Sequence, residues 1–184
     1  MSHQPSWIAH VDLTSLDRTK ESTASITTLA HTASRLNTAC VCVYSERIVE
    51  AKSAGPSIAV ATVVNFPDGS DSQSAVVAET VKAVESGATE IDVVWNYKAY
   101  KDGDVDAAVA PVEWVAQAVK DKSNVQIKVI LESGAIEPST LRKACDLVLA
   151  HFDDAQRVYY LKTSTGKNGF EGATIESATT ILEA

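Results

Sequence analysis

Six short apolar runs recur along the chain, each followed by a segment with helical spacing, and this alternation restricts the fold more than any other feature. The runs are Ile8 to Leu13, Ala39 to Tyr44, Ile58 to Val64, Glu90 to Trp95, Val125 to Leu131 and Val158 to Lys162. Their lengths and their Val, Ile and Tyr content predict strands. Between them, Ile26, Leu29, Ala33 and Leu36, or Val77, Val81 and Val84, recur at the spacing that gathers apolar side chains on one helix face. Strand, helix, strand, repeated about six times, predicts parallel βα units.

Punctuation residues support the helices. Thr19, with Glu21 two residues on, Asp71 or Ser72, and Asp104 stand where a side chain can accept orphan backbone N–H bonds, and Pro138 suits a first turn. Pro111 is expected either to kink a helix over Val105 to Lys120 or to mark its true start. Gly87 and Gly134 stand beside segment ends, where positive φ is expected. With 184 residues and no linker or low-complexity stretch, one domain over 1–184 is expected.

An open doubly wound sheet and a closed (β/α)8 barrel both fit such a rhythm. The strands carry ionisable residues: Asp12 in the first, Asp92 in the fourth, Lys128 in the fifth and Lys162 in the sixth. A barrel gives them a common centre, because alternate side chains of every strand point inward and catalytic groups gather at the C-terminal mouth. The chain is short for one, since a full barrel takes about 250 residues.

Bulk properties exclude several functions. A formal net charge of −8 argues against a nucleic-acid or anionic-membrane surface, which needs clustered Lys and Arg. No apolar run approaches the roughly 18 residues of a membrane helix. Cys40, Cys42 and Cys145 form no redox or metal spacing and read as buried thiols. The N-terminus lacks a basic start and apolar stretch, so a cytoplasmic protein is expected. His3, His10, His31 and His151 show no ligand spacing, Glu132 and Glu137 form no recognisable carboxylate pair, and no metal or cofactor is expected. Trp7, Trp95 and Trp114 read as core or interface residues.

Lys128 and Asp92 are embedded in apolar residues, "IKVIL" and "IDVVW", and Lys162 ends a strand at "YYLKTSTGK". Burying three charges without partners would cost several kcal/mol each, so they are expected to share one polar site. Burial and a second ammonium both disfavour protonation of a lysine, leaving a free amine able to attack a carbonyl. Asp92 could then move protons, directly or through water. Thr-Ser-Thr-Gly-Lys after Lys162 is either a polar turn or a phosphate-binding loop; it is not a Walker loop, because Leu161 stands where that motif has glycine. "NFPDG" at 65–69 reads first as turn chemistry, although a βα loop there would also line a barrel mouth, and Asp12 either holds a substrate hydroxyl or caps the next segment.

Five of these stretches, "HVDLTSL", "ATVVNFPDGS", "EIDVVWNY", "IKVILESG" and "YLKTSTGK", together resemble the deoxyribose-phosphate aldolase family, in the family's order, from about Ile8 onward. The resemblance implies a metal-free class I aldolase on a TIM barrel, cleaving 2-deoxyribose 5-phosphate reversibly to acetaldehyde and glyceraldehyde 3-phosphate. It implies Lys162 as the Schiff-base lysine, Asp92 as its acid/base and Lys128 as a supporting charge. Asp12, Thr14, Cys42 and Thr165 match pocket positions, and Gly166 and Lys167 match part of the phosphate site. The family continues with a lysine on a seventh strand, a Gly-Gly phosphate loop and an eighth strand, whereas this chain ends at "TTILEA". An incomplete α/β barrel of about six units is therefore expected, lacking strands seven and eight, with open edges prone to pairing, and a homo-oligomer, a dimer, is expected. Alternatives are an impaired fragment that only binds or assembles, and a Schiff-base aldolase for another sugar phosphate.

Overall fold

The computed structural model describes residues 6–151 and 159–184. Six strands form one sheet in chain order: β1 (Asp12–Ser15), β2 (Cys40–Val43), β3 (Ala59–Val64), β4 (Glu90–Val94), β5 (Gln126–Ile130) and β6 (Tyr159–Lys162). Helices α1 (Thr23–Leu36), α2 (Ile48–Ala54), α3 (Gln73–Glu85), α4 (Tyr97–Lys101), α5 (Val105–Ala118), α6 (Pro138–Ala150) and α7 (Ile175–Leu182) follow the strands. By backbone proximity the chain divides into two units, one running to Val63 and including Lys82–Ile91, the other Val64–Val81 with Asp92–Ala184.

In the first unit β1, β2 and β3 pair in parallel, with Thr14 opposite Cys42 and Cys42 opposite Ala61. Ile26, Ala30 and Ala33 form the buried stripe of α1, spaced three and four apart as one helix face requires. Ser22 caps this helix, exchanging bonds with Ser25, and Asn37 ends it in the left-handed conformation. Thr19 is not the cap: its N–H and hydroxyl are both held by Asp17, whose carboxyl those bonds lower to about 2, so the helix starts later than expected.

In the second unit β5 and β6 are parallel, with Ile130 opposite Lys162 and Lys128 opposite Tyr160. Every residue of β4, and all of β5 after Gln126, is buried, as in a strand covered on both faces. Asp104 caps α5 through the Ala107 N–H, and the helix runs on through Pro111 rather than starting there. Pro138 occupies the first turn of α6. Cys40, Cys42 and Cys145 are buried free thiols, and burial pushes the Cys145 thiol pKa up.

Two other expectations change, and one falls where nothing tests it. Residues 6–10 form a short 3-10 helix and β1 begins only at Asp12, because a brief apolar run has no periodicity to separate helix from strand. Val158 lies outside the described residues. Trp95 is fully buried, whereas Trp7 is exposed and not a core residue.

Gly87 has positive φ, but Gly134 does not. Glycine is required at 134 for another reason: a Cβ there would strike the carbonyl oxygen of Glu171 and crowd its amide nitrogen. Backbone cannot yield as a side-chain tip can. Gly134→Ala should therefore cost about 1–3 kcal/mol, as overpacking does, read as a lower urea midpoint with an unchanged slope.

Candidate active site

Asp92 and Lys128, in the middle of β4 and β5, and Lys162, at the C-terminal end of β6, come together within the second unit. Alternation puts Asp92 and Val94 on one face of β4, and Lys128 and Ile130 on one face of β5. Because Ile130 pairs with Lys162, the β6 lysine stands one side-chain repeat beyond Lys128 towards the strand ends. Both ammonium groups reach the same carboxylate. Lys162 Nζ donates to Asp92 Oδ2 in a short contact, and Lys128 Nζ lies 3.8 Å from Oδ1.

Burial differs across this trio. The Asp92 side chain is fully enclosed, that of Lys128 is 7% exposed, and that of Lys162 is 30% exposed. Thus the side chain at the sheet end is partly open while its partners are shut in. Asp92 Oδ1 is buried and accepts no hydrogen bond, with Lys128 Nζ 3.8 Å away.

The residues just past the strands form the rim. After β3, Asn65 takes φ 55°, donates from Nδ2 to Val94 O at 2.7 Å and accepts from the Asp71 N–H at 2.9 Å. "NFPDG" is therefore a turn, as read, whose asparagine is also pinned to β4. Gly69 at its end has φ 72° and leaves no room for a Cβ against Trp95 O. After β4, Trp95 Nε1 donates to Leu131 O at 2.8 Å. After β5, the Leu131 and Ser133 N–H groups donate to Lys162 O at 2.9 Å and Thr163 O at 2.7 Å, so the parallel pairing persists beyond the strands.

Thr165, Gly166 and Lys167 follow β6 directly. The Thr165 hydroxyl donates to Glu132 and accepts the Lys167 N–H at 3.1 Å. Gly166 has φ 69°, and both it and Lys167 are exposed. Asp12, Thr14 and Cys42 belong to the first unit, on neighbouring strands, with the Thr14 hydroxyl donating to Asp12 O at 2.9 Å. Asp12, Cys40 and Glu90, each the first residue of its strand, place one potential ligand atom apiece within 4.8 Å of one another.

Sequence reasoning missed Glu132 and Asn168, which hydrogen-bond to each other across loops at the strand ends, whereas Asn65 stood in the "NFPDG" loop already read as a possible part of a barrel mouth. The available signal was position: each follows a predicted strand, where a barrel gathers its functional groups.

Residues 7–169 match the family described as DeoC/LacD family aldolase. The chain belongs to that family. It is 37% identical over 180 residues to the deoxyribose-phosphate aldolase of Agrobacterium fabrum, covering 95% of this chain and 66% of that protein. Among solved structures, the aldolase QR15 matches at TM-score 0.85 and 27% identity, over 97% of this chain and 76% of its own. A putative deoxyribose-phosphate aldolase from Coccidioides immitis matches at TM-score 0.84 and 29% identity, over 95% and 66%. The chain thus spans about two thirds of the curated relative's length. The likeness supports the expected α/β fold, a partial TIM barrel of six βα units.

Proposed function

We propose that this chain carries the Schiff-base half-site of a deoxyribose-phosphate aldolase. The observation that supports this most directly is Lys162, partly open, sharing the buried carboxylate of Asp92 with Lys128. In the cleavage direction the Lys162 amine adds to the aldehyde carbon of open-chain 2-deoxyribose 5-phosphate. The carbinolamine oxygen leaves as water and a cationic iminium remains. A base takes the proton of the hydroxyl on the third carbon, the bond between the second and third carbons breaks, and its electron pair flows to the iminium. Glyceraldehyde 3-phosphate departs and an enamine stays on Lys162. Protonation of its terminal carbon and hydrolysis release acetaldehyde and restore the amine. In this reading Asp92 accepts the ammonium proton and moves the later ones, alone or through a water.

Lys128 supplies supporting charge in this reading, Gly166 and Lys167 form part of the phosphate end, and Thr165 lines the substrate pocket beside them. Substrate-binding roles for Asp12, Thr14 and Cys42 are proposed from the family resemblance. The chemistry asks for no metal or cofactor. Sugar phosphates and small aldehydes are the partners, with a second copy of the chain as the macromolecular one; a relative from Aeropyrum pernix is described as tetrameric. A reducing cytoplasmic setting fits buried free thiols and phosphorylated sugars. Among the described residues no helix is long and apolar enough to cross a membrane.

The test is acetaldehyde release from 2-deoxyribose 5-phosphate, compared with other sugar phosphates at equal concentration. Preferential release from the deoxy sugar supports the proposal. Faster cleavage of a different sugar phosphate would reassign the substrate. A folded sample that releases nothing and gives no borohydride-trapped adduct would leave a binding or assembly fragment as the better reading.

A further inference from the structure

Glu132 stands two residues past the end of β5, only 1% exposed, with its backbone at φ 52° and ψ 55°. A side chain other than glycine in that left-handed region costs roughly 1–2 kcal/mol, which the surroundings must offset. The offset comes from one loop. Its carboxylate accepts the Thr165 N–H at 3.3 Å, the Thr165 hydroxyl, and Asn168 Nδ2 at 2.9 Å. Asn168 Nδ2 also donates to Pro67 O at 2.8 Å, so loops after β3, β5 and β6 meet at this group.

All three donors are neutral, and each is held in a fixed direction by an acceptor-only group. Thr165 uses its hydroxyl proton on Glu132 and its lone pair on the Lys167 N–H. The segment that carries Gly166 and Lys167 is thereby clamped on both sides. Gly166 and Lys167 themselves remain exposed.

We propose that Glu132 is a positioning residue for phosphate recognition: it fixes the 165–168 loop in the conformation that offers Gly166 and Lys167 to the phosphate of the substrate. The inference rests on the aldolase reading above and adds to it a group that never touches substrate. It predicts a division of labour. Covalent capture at Lys162 depends on Asp92 and Lys128, whereas selection for a phosphorylated aldehyde depends on Glu132.

Glu132→Gln keeps size and shape but replaces an acceptor oxygen with a donor nitrogen, so the three loop donors cannot all be satisfied. The experiment measures half-saturating concentrations for borohydride-trapped adducts at Lys162 with acetaldehyde, 2-deoxyribose and 2-deoxyribose 5-phosphate. Relative to the original chain, the variant should need about tenfold more of the phosphate ester, the effect of losing about one charge-assisted bond. Acetaldehyde and unphosphorylated deoxyribose should be unchanged within about twofold. Glu132→Asp, which keeps the acceptors, should recover part of the phosphate preference. Equal loss with all three aldehydes, or no change with any, would overturn the role of Glu132 while leaving Lys162 in place. An original chain that traps none of them would instead remove the aldolase reading, and this inference with it. If Glu132→Gln fails to fold, Glu132→Asp and Asn168→Ala carry the same comparison, and a phosphate preference intact in both would be fatal to the idea.

Discussion

Lys162→Ala is expected to abolish the borohydride-stable adduct with acetaldehyde, by more than about a thousandfold, as removal of a covalent nucleophile does elsewhere. The structure makes this variant informative because it should still fold. Asp92 retains Lys128 3.8 Å from Oδ1, so deleting the outer lysine does not strand a buried carboxylate. Lys162 is also the more exposed of the two amines, and its removal opens no enclosed cavity. Intact mass and peptide mapping give the readout. An adduct that persists at full yield, mapped to Lys128, would mean that the inner amine is the nucleophile. Loss of the adduct with an unchanged urea midpoint would establish that chemistry, not folding, was removed.

Asp92→Asn should act twice. General acid–base catalysis contributes about 10²–10⁴-fold, so turnover should fall in that range while the concentration for half-maximal adduct formation moves less. The amide also leaves two ammonium groups without their shared anion. Breaking a buried pair by removing one partner costs about 3–5 kcal/mol; Lys162 is partly solvated, so the lower end is expected, as a drop in denaturant midpoint. Equal losses in capture and turnover would contradict the proton-transfer role. An unchanged midpoint would show that the enclosed lysine finds compensation elsewhere.

The strand pattern was legible because the βα rhythm is written in short apolar runs, and five of the six strands, as described, fall within one residue of the stretches read from sequence at each end. The first did not. "SWIAH" has apolar residues but too few to show a period, and local hydrogen bonding resolved it as a 3-10 turn. Asp92, Lys128 and Lys162 were legible for an energetic reason: a charge inside an apolar run demands a partner, and the structure supplies one carboxylate for both amines. Glu132 followed just such a run, but it was weighed only as half of a carboxylate pair with Glu137. Its actual partners lie 33 and 36 positions away on another loop. Gly134 shows the same limit, since the backbone it must admit comes from Glu171, which no local pattern announces.

Two amines leaning on one carboxylate also bear on what happens electrically during capture. An ammonium at position 162 and the iminium that replaces it carry the same unit of charge, so the enclosed anion meets a cation before and after the carbon–nitrogen bond forms. Although Asp92 holds the proton in between, the two end states ask for the same arrangement of dipoles, and a stiff site can hold both without rearrangement.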